Sequence, residues 1–163
     1  MTYIITPQQL KEKSLIDVNV ADFLCEVAIK TSQEINLVSV IGENLYNKII
    51  TLINTNNLTG LYKDLVDFYI TDYLCFQATA EIQIPLAYKN RNAGVVRTTD
   101  EEVESVALKE IQYIVDFYKN RAVAYSKKMQ GFILRNKEGF PEFLTEDSTQ
   151  IQASDKYNCP LNI

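Results

Sequence analysis

Between Thr59 and Ile82 apolar side chains leave almost no polar face. Leu61, Leu65, Phe68, Tyr69, Tyr73 and Phe76 occupy one broad side, and Val66, Ile70 and Leu74 another. Three- and four-residue spacing over this length predicts a helix. A helix apolar nearly all round must be wrapped by others, which makes residues 60–82 the centre of the domain. A chain of 163 residues suits one domain with a single core. The expected fold is therefore all-α: a bundle of four main helices plus a short N-terminal one, with a long final helix and an extended C-terminal tail.

The helices before the central one are marked by their ends. Thr6-Pro7 predicts a helix start, with Thr6 as N-cap and Pro7 in the first helical position, and the helix ends near Ser14. Leu15 to Val18 reads as an extended link, with Asn19 as the next N-cap. Val20, Phe23, Leu24, Val27, Ala28, Thr31 and Ile35 then form the stripe expected to be buried. In Ile41-Gly42-Glu43-Asn44-Leu45-Tyr46 the glycine can close that helix with a positive φ. Leu45 and Tyr46 dock the next helix, which continues through Ile49, Ile50 and Ile53. Asn54-Thr55-Asn56-Asn57 is a loop by composition.

Beyond the central helix, expected to stop before Pro85, residues 86–98 read as a loop turning at Asn92-Ala93-Gly94. Thr99 and Glu102 have capping-box spacing. Behind them Val103, Ala107, Ile111, Ile114, Tyr118, Ala122, Tyr125, Met129 and Phe132 hold a helical stripe to Asn136. Past Gly139 the pattern stops. The expected division is a helical domain over 1–138 and an extended tail over 139–163. Such a tail is either disordered or ordered by a partner, and its apolar flanks favour the partner. The expected partner-binding residues are Tyr88, Arg91, Val95, Val96 and Arg97 in the loop, and Phe140, Pro141, Phe143, Leu144 and Tyr157 in the tail.

The chemistry available argues against an enzyme. Histidine is absent, which removes the commonest general base and any Cys/His zinc site. The five glycines are isolated, so no phosphate-cradling loop exists. Asp64, Asp67 and Asp72 read as solvated helix carboxylates, while Glu101, Glu102 and Glu104 suit the first turn of a helix. Cys25 and Cys75 fall within apolar patterns and are expected to be buried and unreactive; Cys159 lies alone in the tail. No catalytic residue, cofactor or metal is expected. No apolar run approaches the roughly 20 residues that span a bilayer, and Met1–Pro7 lacks signal-peptide features. The expected setting is a cytoplasm, or something assembled there, with no membrane partner.

The net charge of −5 is unevenly spread: residues 91–136 carry 8 Lys/Arg against 6 Asp/Glu. Lys119, Arg121, Lys127, Lys128 and Arg135 concentrate near the end of the last helix, where the helix dipole favours cations. A solvated face accounts for them more simply than a phosphate-binding patch.

The order Ile5-Thr6-Pro7-Gln8-Gln9-Leu10, Asn19-Val20-Ala21-Asp22, Ile41-Gly42-x-x-Leu45-Tyr46, a Tyr-rich helix, Asn92-Ala93-Gly94-Val95 and a long helix before Phe140-Pro141 resembles the small head–tail connector proteins of tailed bacteriophages. It is most similar in flavour to those of crAss-like phages. The resemblance covers about residues 3–145. It implies a virion protein of the neck, assembled in the host cytoplasm as a homo-oligomeric ring of twelve copies beneath the portal. The implied partners are further copies, the portal, other tail or neck proteins, and passing DNA bound without sequence specificity. A plain helical scaffold or regulatory module for one protein partner, and a weak nucleic-acid-binding module, are the alternatives.

Overall fold

The computed structural model describes residues 2–14, 16–91, 94–97 and 108–144. Over these the chain is mostly helical. Helix α1 (Pro7–Lys13) starts as its sequence dictates. The Thr6 hydroxyl accepts from the Gln9 amide, and the Gln9 side chain accepts from the Thr6 amide. Two donors that no helical carbonyl can reach are thereby satisfied.

Helix α2 (Asp22–Thr31), a π-helical segment (Ser32–Leu37) and α3 (Val38–Ile41) follow one another without a break. The N-cap is Ala21, not Asn19. Asp17 is the reason: its carboxylate accepts the Asn19 amide at 2.7 Å and holds residues 17–20 in a turn ahead of the helix. Gly42 ends α3 and starts α4 (Glu43–Asn54) with φ 82° and ψ 159°. That region is open essentially to glycine alone. Leu45 and Ile49 of α4 are buried as the corner requires.

The central helical stretch comprises α5 (Gly60–Leu65), a second π segment (Val66–Ile70) and α6 (Thr71–Ala87). It runs through Pro85 rather than stopping before it. A proline so near a helix end removes one hydrogen bond, and Pro85 is exposed, where water can replace what is lost. α6 is buried on nearly every side, and its buried Thr71, Gln77 and Thr79 bond along the same helical stretch. The Thr71 hydroxyl donates to the Val66 carbonyl at 2.8 Å, and the Thr79 hydroxyl to the Cys75 carbonyl at 2.6 Å. In place of the expected loop, β1 (Tyr88–Arg91) and β2 (Gly94–Arg97) form an antiparallel ribbon with Tyr88 opposite Arg97. Helix α7 (Leu108–Arg135) then packs along α6, at about 1.5 Å per residue a rod of about 42 Å. The Thr99–Glu102 capping box, Val103, Ala107 and the Asn92-Ala93 turn lie outside the described residues.

α2 and α7 sit against different faces of α6. Cys25, Ala28 and Ile29 share the main core with Cys75, Ala78 and Ile82. Ala80 belongs instead to a second cluster with Ile111, Val115 and Tyr118 of α7, whose Ala122, Met129 and Ile133 join the main core. Two residues separate Ala78 from Ala80, which is about 200° around a helix. The stripe expected on α2 holds in part: Ala28 is buried and Val20 and Leu24 pack against the core, but Phe23, Val27 and Ile35 are exposed, and the inner face also uses Cys25, Ile29 and Leu37. Small side chains let α2 approach Cys75 and Ala78 closely, which larger ones would prevent. On α7 the expected stripe holds, with Ile111, Tyr118, Ala122 and Met129 all buried.

One buried polar residue ties the N-terminal segment to this core. Gln33, in the first π segment, accepts the Ile4 amide at 2.8 Å, and its amide nitrogen lies 3.0 Å from both the Thr2 carbonyl and the Tyr46 hydroxyl. Ile5 is consequently held in the main core.

The Gly42 backbone yields a direct test. Gly42→Ala is expected to lower unfolding free energy by about 1–3 kcal/mol, since a Cβ is disfavoured at that φ and ψ. Urea unfolding followed by far-ultraviolet circular dichroism measures it; a change below a few tenths would contradict the assignment.

Candidate assembly surfaces

Two exposed helix faces stand out, one on each side of α6. On α2, Phe23, Val27 and Ile35 are 64%, 61% and 65% exposed. Steps of four residues through Thr31 bring them along one side of the helix. Residues 17–37 carry four acids against one cation, a net of −3. Asp22, Glu26 and Glu34 flank the apolar column. Beside it lies an open groove of about 360 Å³ lined by Gln8, Lys11, Glu12, Ile16, Val18 and Asp22. Lys11 is held there by Asp22 at 2.7 Å and by the Val18 carbonyl at 3.0 Å.

On α7 the outward column is Lys109, Tyr113, Phe117 and Arg121, again at four-residue steps. Tyr113 is 75% exposed and Phe117 40%. The Arg121 guanidinium stacks 4.1 Å from the Phe117 ring centroid and 5.8 Å from that of Phe76 on α6. Lys128 sits 4.9 Å over Tyr125. α7 carries six cations against two acids, a net of +4. The ion pairs seen among the described residues use Lys11, Lys13, Lys30, Lys48 and Lys63, none of them on α7. This face is basic and aromatic where the α2 face is acidic and apolar.

The residues singled out in the sequence fall differently. Tyr88, Arg91, Val95, Val96 and Arg97 are brought together on the β1–β2 ribbon by its register. Phe140 corrects the expectation of a partner anchor. It is 0% exposed in the domain's own core, edge-on to Tyr62 at 5.1 Å and 6.0 Å from Phe132. A chain reversal through Lys137–Gly139 turns it inward, and α8 (Pro141–Leu144) packs on α4. Phe143 is half-buried against the core, and Pro141 is exposed. Glu142 accepts the Tyr62 hydroxyl at 2.7 Å and lies 4.0 Å from Lys48. Residues 139–144 thus belong to the domain rather than to a separate tail; Tyr157 lies outside the described residues.

The two described cysteines lie where the sequence put them, whereas Asp67 and Asp72, expected to be solvated, are paired. Cys25 and Cys75 are free and buried, and burial pushes the Cys75 thiol up to about 12. Asp67 pairs with Lys63, and Asp72 with Lys13 at 2.9 Å. Among the described residues no group of three His, Cys, Asp or Glu could hold a metal ion. No described helix is long and apolar enough to cross a membrane.

A family model described as a family of unknown function (DUF6712) matches residues 37–153. That is more than two thirds of the chain, and the chain belongs to that family. No curated protein and no solved structure matches it.

Two predictions follow from the latch around Phe140. Phe140→Ala is expected to cost about 3–5 kcal/mol, as large-to-small changes at fully buried aromatics do. Truncation after Asn136 should lower the melting temperature comparably, and unchanged melting in both would contradict the burial. The second concerns alkali. Burial, with the Glu142 bond, pushes Tyr62 up to about 12, and burial does the same to Tyr73. All three groups are held neutral above their ordinary values of 10.0 for tyrosine and 9.0 for cysteine. Their contribution is intact below the lower of these and is lost as pH rises toward 12. Urea midpoints measured from pH 8 to 12 should fall across that window, less steeply in Tyr62→Phe; a flat profile would contradict this.

Proposed function

We propose that the chain is a structural virion protein, a head-to-tail connector that forms a ring beneath the portal of a tailed phage and continues the DNA channel toward the tail. The observation that carries this reading is the pair of exposed apolar helix faces on α2 and α7. A monomer rarely exposes large side chains in columns along its helices, and such columns mark protein contacts. The Ile41–Tyr46 corner, the Tyr-rich central helix and the long helix before Phe140-Pro141, on which the connector resemblance rests, support it further. In this reading the bundle of four main helices is a rigid wedge repeated around a ring of about twelve copies, a number taken from the resemblance. It acts by contact and not by catalysis. The portal lies on one side and further neck or tail proteins on the other. Acidic and hydroxyl side chains suit a channel wall, because a negative surface does not hold passing DNA. The cations of α7 then face neighbouring subunits or the portal.

The second reading, a helical scaffold or regulatory module for a single protein partner, draws on the same exposed faces but needs only one of them. Virions produced without this chain separate the two. The connector reading expects heads that contain packaged DNA but lack stable tails. Normally tailed particles would contradict it.

A further inference from the structure

The two exposed faces are opposite in net charge and belong to helices set against different sides of α6. We infer that the acidic, apolar face of α2 on one copy docks on the basic, aromatic face of α7 on the next, in a head-to-tail contact between identical chains. This rests on the ring reading above and names the surfaces that make the ring.

The occupant is a second copy because each face carries what the other lacks. Phe23, Val27 and Ile35 offer an apolar column set among Asp22, Glu26, Lys30 and Glu34, a net of −2. Tyr113 and Phe117 offer aromatic rings on a face whose three- and four-residue spacing also brings Lys109, Arg121, Lys127, Lys128 and Arg135 against Glu110 and Asp116, a net of +3. Apolar area drives such a contact, and complementary charge selects the partner and fixes the register. Arg121 is already stacked on Phe117 and Phe76, so little of its freedom remains to be lost when a carboxylate approaches. A two-fold symmetric dimer would set each face against its own kind, −2 on −2 or +3 on +3. Head-to-tail pairing avoids that repulsion. Since the faces lie on different sides of α6, each copy can join two neighbours at once, and the chain of contacts closes when the rotation per step permits.

Val27→Glu blocks one face and Arg121→Glu the other, and both positions are exposed. Phe23→Asp and Tyr113→Asp form a second pair with the same logic. Analytical ultracentrifugation of the full chain should show a discrete oligomer for wild type. Each variant alone should associate at least tenfold more weakly while keeping its helicity. An equimolar mixture of Val27→Glu and Arg121→Glu should give dimers, because each retains the face that the other needs. Raising salt from 0.1 to 1 M should weaken wild-type assembly, since screening removes the charge term. The inference is overturned by variants that assemble like wild type, by a mixture that stays monomeric, or by a wild-type chain monomeric at its highest soluble concentration. Salt-sensitive DNA retention lost only in Arg121→Glu, with unaltered assembly, would assign the α7 face to nucleic acid and also overturn it. Variants that still form rings leave the connector reading standing while this contact falls. Normally tailed virions without the chain remove the connector reading while the contact stands.

Discussion

From Thr71 to Ile82 the central helix has no exposed residue, and the remaining helices are arranged to cover it. α1 and α2 close one part of its circumference, the first π segment another, and α7 the opposite side. Such a position is permitted only where polar groups find partners without leaving the helix. Thr71 and Thr79 manage this by bonding back to carbonyls one turn below. The wider turn at Val66–Ile70 lets the Thr71 amide and hydroxyl share the Val66 carbonyl. Covering α6 also decides what is left outside. Once α2 turns Cys25 and Ala28 inward for close approach, Phe23 and Val27 point to solvent.

The sequence made legible what large apolar side chains announce by themselves. The central helix, the Gly42 corner, the α7 stripe and the Thr6-Pro7 start all rest on strong local signals. α2 was misleading because its outer face carries Phe23, Val27 and Ile35, as bulky as the Ile29 and Leu37 of its inner face. Periodicity shows a stripe but does not say whether the stripe packs on its own domain or on a neighbour. Asn19 looked like a cap until Asp17 claimed its amide. Phe140 follows a chain reversal and belongs to no period, so nothing local separates a core anchor from an interface anchor. Gln33 was silent for a similar reason: a lone glutamine between apolar residues has no motif, and its partners lie up to 31 residues away. The α2 and α7 faces emerged only from burial.

This misread stripe links fold to function. A face that reads as core in the sequence and stands exposed in the single chain is what an obligate assembly leaves on each subunit. The C-terminal latch fits the same picture. Tyr62, Phe132 and Glu142 fasten residues 139–144 to the domain. In the proposed assembly, two differing faces on one chain give a closed ring when the rotation per step closes and an open helical array when it does not.

The proposed connector ring is tested most directly by negative-stain electron microscopy of the purified full chain, alone and mixed with the portal protein of the same virion. The account predicts closed rings of one diameter that seat coaxially on the portal. Isolated particles in both preparations, with portals left bare, would contradict it.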